Sequence, residues 1–142
     1  MPHRSRLNFS KWTATAVIIV ASVLASGNVV GQARPNQPAL REIVTGMPRG
    51  ERQEVRVLTA TIKPGYKTLF HTHRFPVTVY MLEGVFTLEM EGRQPVTISA
   101  GQAMVEPPNV KMTGHNRSAT DTIRLVIFYV SDPETPFFDP VQ

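Results

Sequence analysis

The clearest alternation of apolar and polar residues runs from Val85 to Glu91. Phe86, Leu88 and Met90 share one parity, and polar residues occupy the positions between them. Because successive side chains of a β-strand point to opposite faces, this pattern predicts a strand with one buried face and one face in water.

Similar short stretches, rich in β-branched residues and separated by glycine and proline turns, continue on both sides. No helical periodicity follows Ala33. Strands at a spacing of about ten residues are typical of a sandwich or barrel, and a closed barrel leaves no exposed strand edge. The fold class is therefore predicted to be all-β, a barrel of about eight short antiparallel strands. These cover residues 53–62, 66–73, 77–82, 85–91, 95–99, 103–106, 110–114 and 122–130.

The first 33 residues have a different pattern. A short positive segment ends at Trp12, an uncharged apolar run follows to Ala25, and small residues lead to Ala33. This order predicts a secretory signal peptide over residues 1–33, helical in its apolar part and cleaved after Ala33 or, alternatively, after Gly27. An uncleaved anchor is the other reading, but the strongest apolar stretch, residues 16–25, is short for a membrane span of about 20 residues. We expect a periplasmic or secreted protein that meets the membrane only during export.

Three further segments follow the predicted signal. Residues 34–50 are rich in proline and glycine and predict an extended arm, residues 51–131 form the predicted barrel, and residues 132–142 form a C-terminal tail. Phe137 and Phe138 in this tail are expected to cover apolar barrel surface or a neighbouring subunit.

Composition excludes several classes of function. Three of the 15 basic residues, Arg4, Arg6 and Lys11, lie in the predicted signal, so the rest of the chain is nearly balanced against its 11 acidic residues. No basic cluster or nucleic-acid-binding motif remains, and we expect no nucleic-acid partner. The absence of cysteine excludes disulfides, cysteine metal sites and thiol nucleophiles.

Two stretches of the chain share a spacing with known motifs. The first is Gly65, five residues, His71, one residue, His73, three residues, Val77, six residues, Gly84. The second is Gly101, five residues, Pro107, one residue, Asn109, then Asn116 after six more. They resemble the two cupin motifs, G-x5-H-x-H-x3,4-E-x6-G and G-x5-P-x-G-x2-H-x3-N, over residues 41–129. The resemblance implies a small single-domain cupin of the RmlC-like type, with a jelly-roll barrel, and by analogy a homodimer.

The chain departs from these motifs at three positions. The family's glutamate falls on Val77, its second-motif histidine on Met112 and its glycine on Asn109. In the family the two early histidines, the glutamate and the late histidine would hold a divalent metal. His71 and His73 remain, and we predict them as metal ligands.

The residues themselves support this pair. Two positions apart on a strand, the imidazoles of His71 and His73 share a face, and neutral imidazole is the commonest protein metal ligand. The cofactor implied is one divalent transition metal. Met112 offers a thioether, which suits Cu(I).

A third ligand is not evident from the sequence. His115 has the opposite parity to Met112, Glu89 and Glu91 belong to a polar face, and Glu83 sits in a turn. Glu106 lies beside the second motif, but its direction is not fixed by the sequence.

Three interpretations of the histidine pair stay open. In the first, the pair binds a metal. In the second, it lies in a metal-free pocket, where it hydrogen-bonds a small molecule or serves as acid or base. In the third, it is a structural relic inside a packed barrel. Arg74 and Met112 are predicted to contact a small-molecule ligand, although Arg74 fits a solvated loop charge equally well.

The expected function is binding of a small molecule, with weak divalent-metal binding at His71 and His73. The alternatives are a metal-dependent enzyme acting on a small polar or aromatic substrate and a non-catalytic structural barrel. No catalytic residue is assigned.

Overall fold

The computed structural model describes residues 37–142, so the predicted signal peptide lies outside the described residues. These residues form nine β-strands and no helix. The described part accordingly holds no helical segment with the length and apolar character that a membrane crossing needs. The strands are β1 (Glu54–Ile62), β2 (His71–Thr72), β3 (Val77–Glu83), β4 (Val85–Met90), β5 (Val96–Ser99), β6 (Ala103–Glu106), β7 (Met112–His115), β8 (Ile123–Ser131) and β9 (Asp139–Pro140).

The strands form two antiparallel sheets. One has the order β1-β8-β3-β6, and the other has the order β5-β4-β7-β2-β9. In the first sheet β1 and β8 pair over nine positions, from Glu54 opposite Ser131 to Ile62 opposite Ile123. The predicted all-β class with antiparallel strands is confirmed.

The core lies between the two sheets because alternate residues of most strands are apolar and face inward. Met81 and Ile123 are fully buried on the four-stranded sheet, and Leu88 and Met112 on the five-stranded sheet. The predicted water-facing side of β4 is only partly present, because Thr87 on that side is buried and Val85, of the same parity, is half exposed. The buried core comprises Val77, Val79, Met81, Phe86, Leu88, Ile98, Met104, Met112, Ile123, Leu125 and Tyr129.

Gly84 and Asn109 are two of the motif positions that hold turns with a left-handed backbone. Gly84 joins β3 to β4 at a φ of 82°, and a Cβ there would lie 3.1 Å from the Thr122 carbonyl oxygen. Asn109, at the position of the family's second-motif glycine, has a φ of 59°, which asparagine tolerates better than most residues. Its amide donates to the His73 carbonyl at 2.7 Å. The departure from glycine therefore keeps the turn between β6 and β7, which is hydrogen-bonded to the backbone of His73.

The structure differs from the predicted strands in two places. Of predicted strand 66–73, only His71–Thr72 is a strand, and Lys67 forms an isolated bridge with His115. The Thr68 hydroxyl accepts a hydrogen bond from the Gly114 amide at 2.8 Å, so a side chain takes the place of a continuous ladder. In addition, Asp139 and Pro140 in the tail pair with β2 as an unpredicted ninth strand.

Candidate functional site

A cavity of about 590 Å³ opens between the sheets. This volume lies within the range of about 300–1,000 Å³ that small-molecule sites occupy. Its walls are mainly apolar, and they include Ile62, Leu69, Phe86, Leu125, Ile127 and Phe137. His71, His73 and Glu106 also line the cavity, and all three are buried. The cavity therefore has an apolar body and one polar, closed end.

The polar end is a chain of three side chains with His73 at its centre. His71 Nε2 lies 3.1 Å from His73 Nε2. His73 Nε2 lies 3.2 Å from Glu106 Oε2. The imidazole planes meet edge to face at 84°, with ring centroids 4.7 Å apart. The prediction that His71 and His73 share an inward face agrees with this geometry.

Backbone carbonyls fix the tautomer of both rings. His71 Nδ1 lies 2.7 Å from the Leu69 carbonyl oxygen, and His73 Nδ1 lies 2.6 Å from the Phe137 carbonyl oxygen. Since a carbonyl only accepts, each Nδ1 must carry the proton. In the neutral rings each Nε2 atom then carries a lone pair. The two lone pairs face each other, and that of His73 also faces the Glu106 carboxylate. A proton shared among these acceptor atoms, or a metal ion between them, would relieve their mutual repulsion.

The pKa of His71 is lowered from its ordinary value of 6.5, chiefly because burial penalises the charged imidazolium. The hydrogen bond to Leu69 and the Glu106 carboxylate oppose this effect, and nearby His73 adds to it. His71 is consequently neutral at pH 7, which is the form that a metal or a hydrogen-bond donor of a ligand requires.

Glu106 is the site residue that the sequence left undirected. It ends β6 two positions after buried Met104, so the two side chains share the inner face. Its partner across the ladder is Val77, the position of the family's glutamate. Side chains at paired positions lie side by side on the same face. The carboxylate lost from β3 is therefore supplied by the neighbouring strand, and the parity with Met104 was the signal that could have revealed it.

The donor set fits a weakly held metal better than a complete cage. In the stretch from 37 to 142, no three His, Cys, Asp or Glu side chains are already grouped as metal ligands. The two Nε2 atoms, however, are 3.1 Å apart, the separation of two nitrogens that each lie about 2.1 Å from one ion. Glu106 stands next to this pair, and together they match the residue types of a two-histidine, one-carboxylate site.

The other two predicted site residues lie elsewhere. The Arg74 guanidinium forms two hydrogen bonds with the Asp139 carboxylate in the tail, at 2.8 and 3.0 Å, and it does not line the cavity. Met112 is fully buried in the core, opposite His71 in the β2–β7 register. Ligand binding by Arg74 and Met112 stays a prediction.

His115 points away from the cavity, as its parity indicates. Its Nε2 lies 3.1 Å from Glu89 Oε2, and Arg117 contacts the same carboxylate. This cluster is partly exposed on the outside of β4 and β7. It contributes no third donor to His71 and His73.

The tail contributes more to the site than the covering role that the sequence predicted for it. Phe137 and Phe138 line the cavity, and the Phe137 ring packs 5.0 Å from the His73 ring. The Phe137 carbonyl also orients His73. Their expected role as a cover for apolar barrel surface agrees with these contacts.

Comparisons with known proteins bear on the fold. Among solved structures, a cupin-like protein of Thermotoga maritima is 17% identical, with a TM-score of 0.53 over 61% of this chain and 64% of that one. A DMSP lyase (DddQ) of Ruegeria pomeroyi is 20% identical, with a TM-score of 0.51 over 58% and 41%. A conserved protein with a double-stranded β-helix domain from Klebsiella pneumoniae is 16% identical, with a TM-score of 0.54 over 71% and 90%. The match spans less than two thirds of the first two proteins, and these likenesses concern the fold.

No curated protein sequence is significantly similar to this chain. The family model described as "Cupin domain" matches residues 58–129, just over half of the 142-residue chain. This stretch includes both motifs up to Asn116, the inward histidines and the strands that enclose the cavity. The predicted cupin-type jelly-roll barrel is confirmed, and the chain belongs to the cupin family.

Proposed function

We propose that this chain binds a small molecule inside its barrel, with a polar group of the ligand at the His71–His73–Glu106 end. The observation that carries the proposal is the form of the cavity, which has apolar walls and one group of convergent polar side chains. Such a combination is typical of small-molecule sites, because apolar burial supplies affinity and a few polar groups set orientation.

Filling the cavity tests this proposal. Ile127 lines the cavity, whereas the Ile43 side chain is 98% exposed and lies outside it. We expect ligand-observed NMR with a library of aromatic and aliphatic fragments to detect saturable binding to the full chain. Ile127→Trp should abolish this binding, and the matched control Ile43→Trp should retain it. Equal binding by the two variants would contradict a site inside the barrel.

A second candidate is a metal-dependent enzyme that holds a divalent ion at His71 and His73. The convergence of two Nε2 lone pairs and a carboxylate supports it. The Leu69 and Phe137 carbonyls would hold both ligand rings in the correct tautomer, as outer-sphere partners of metal ligands do. A bound ion would polarise a substrate carbonyl or phosphoryl oxygen. His71 and His73 would hold the ion in place, and Phe137 would help to exclude water from it.

Metal analysis of the untagged protein tests this candidate. We expect the protein, supplied with Zn²⁺, Mn²⁺ or Cu(I), to bind one equivalent of one of these ions. His71→Ala/His73→Ala should lose it, and Glu106→Gln should weaken it by about 10–100-fold. His115→Ala is the matched control, since that imidazole faces Glu89. Metal content unaffected by the double substitution would reject the candidate.

The pattern of residues 1–33 supports export, and we propose a periplasmic or secreted mature chain that begins at Arg34. Mass spectrometry of the protein expressed with its own N-terminus in a bacterium should find this form outside the cytoplasm. An uncleaved chain in the membrane fraction would instead indicate an anchor.

The homodimer expected by analogy remains part of the proposal. Val57 and Phe128 are paired across β1 and β8, and their side chains are exposed, as is that of Val55. A second copy that covers these side chains would remove apolar surface from water. Val57→Asp should then convert a dimer to a monomer in sedimentation measurements.

A further inference from the structure

Lysines mark the outer end of the cavity. Of the three lysines in residues 37–142, Lys63 and Lys67 line the cavity and are exposed, whereas Lys111 lies outside it. They flank a turn closed by a hydrogen bond of 3.1 Å from the Tyr66 amide to the Lys63 carbonyl. Tyr66 also lines the cavity, with 65% of its surface exposed. This exposed turn therefore lies at the mouth of the cavity, whereas the histidines are among its buried lining residues.

Neither mouth lysine is neutralised by an acid of the described chain. The ion pairs within residues 37–142 involve Lys111, two histidines and four arginines, but not Lys63 or Lys67. Among the described residues that line the cavity, Glu106 is the one acid, and it contacts His73 at the closed end. The mouth accordingly carries a net positive charge.

The buried end does not favour an anion. Glu106 stands there beside His73, and its carboxylate would repel a ligand anion. A charged group placed among the apolar walls would lose its hydration without a partner, which is costly. A ligand anion is therefore favoured at the mouth, where water and two ammonium groups meet it.

We infer that the ligand of this cavity is an amphipathic organic anion, with an apolar body within the barrel and a carboxylate or similar group held between Lys63 and Lys67. The inference rests on the proposed binding function and adds the chemical class of the ligand. The far end of such a ligand would carry an uncharged polar group, or none, near His71.

A matched pair of probes tests the charge requirement. We would measure the affinity of the full chain for 4-phenylbutyrate and for 4-phenylbutyramide by titration calorimetry at low salt. The carboxylate should bind about tenfold more tightly than the amide, because two exposed charges each contribute modestly, and added salt should reduce the difference.

Lysine substitutions then show which side chains cause the preference for the carboxylate. Lys63→Gln/Lys67→Gln should bring the two affinities within about twofold of each other by weakening the carboxylate alone. Lys111→Gln, whose ammonium lies 3.5 Å from Glu91 and outside the cavity, should keep the tenfold preference.

Equal affinities in the unmodified protein, or a preference that survives the double substitution, would overturn the inference and leave the proposed binding function intact. Failure of both probes to bind would also overturn it. The proposed function is judged separately, by the comparison of Ile127→Trp with Ile43→Trp.

Discussion

The two sheets are stabilised in different ways. In the four-stranded sheet, β8 pairs with β1 over nine positions and with β3 along most of its length. In the five-stranded sheet, β2 has two residues and pairs with β7 through His71 alone. One sheet is thus a continuous hydrogen-bonded ladder, and the other is discontinuous where the site lies.

Tail contacts compensate for the short β2 strand. The Arg74 guanidinium binds Asp139, the Val141 amide donates to the Phe70 carbonyl at 3.0 Å, and Arg56 donates to the Thr135 carbonyl at 2.7 Å. These contacts link residues far apart in sequence. They position His71 and His73 from outside the barrel.

The difference between the two sheets shows that they contribute different parts of the site. Glu106 comes from the four-stranded sheet, whereas His71 lies in β2 of the other sheet and His73 directly follows that strand. Segments with few ladder bonds open locally at low free energy, and ligand sites are often drawn from them. We expect the histidine side to adjust to a ligand and Glu106 to stay in place.

The largest effect should come from the core of the four-stranded sheet. Met81→Ala removes a fully buried side chain and should lower the free energy of unfolding by about 2–5 kcal/mol. Urea unfolding measures this loss. The neighbouring Leu82→Ala, at a position 39% exposed, is the control and should cost far less. Similar losses for both would mean that this sheet is not tightly packed.

An intermediate effect is expected where β7 and β4 touch in the five-stranded sheet. A Cβ on Gly114 would overlap the Phe86 ring. Gly114→Ala should therefore destabilise the protein by about 1–3 kcal/mol through overpacking. In a double-mutant cycle by urea unfolding, Gly114→Ala/Phe86→Leu should cost less than the sum of the single changes. Additive costs would show that the ring moves away freely.

The smallest effect concerns the tail at low pH. The hydrogen bond from Arg74 lowers the pKa of Asp139 from its ordinary value of 3.8. Because the folded state prefers the carboxylate, the stabilisation is complete above about pH 3.8 and is lost as the pH falls through the lower, folded pKa. Hydrogen-exchange protection of the Val141 amide should decrease in that range.

Arg74→Gln provides the control for this pH effect. Without the guanidinium, protection of Val141 should already be reduced at neutral pH and should change little on acidification. A wild-type decrease that persists unchanged in this variant would assign the titration to another group.

Most of the barrel could be predicted from the sequence because its strands alternate and their turns carry glycine or proline. Strand β9 could not be predicted, since Asp139–Pro140 is too short to show a period and pairs with β2, which lies far earlier in the sequence at His71–Thr72. The histidine pair followed from its spacing. Its third member did not, because a contact between Glu106 and His73 depends on how β6 aligns with β3, which no local pattern specifies.

The pairing of Val77 with Glu106 has a consequence for how the motif is recognised in a sequence. The acid stands on the neighbouring strand, directly across from the motif position, so the barrel interior has a carboxyl group although the motif position holds valine. In a relative that lacks the motif acid, an acid at the paired position of the neighbouring strand can therefore take its place. The reciprocal exchange, Val77→Glu with Glu106→Val, would place the carboxyl group at the motif position itself.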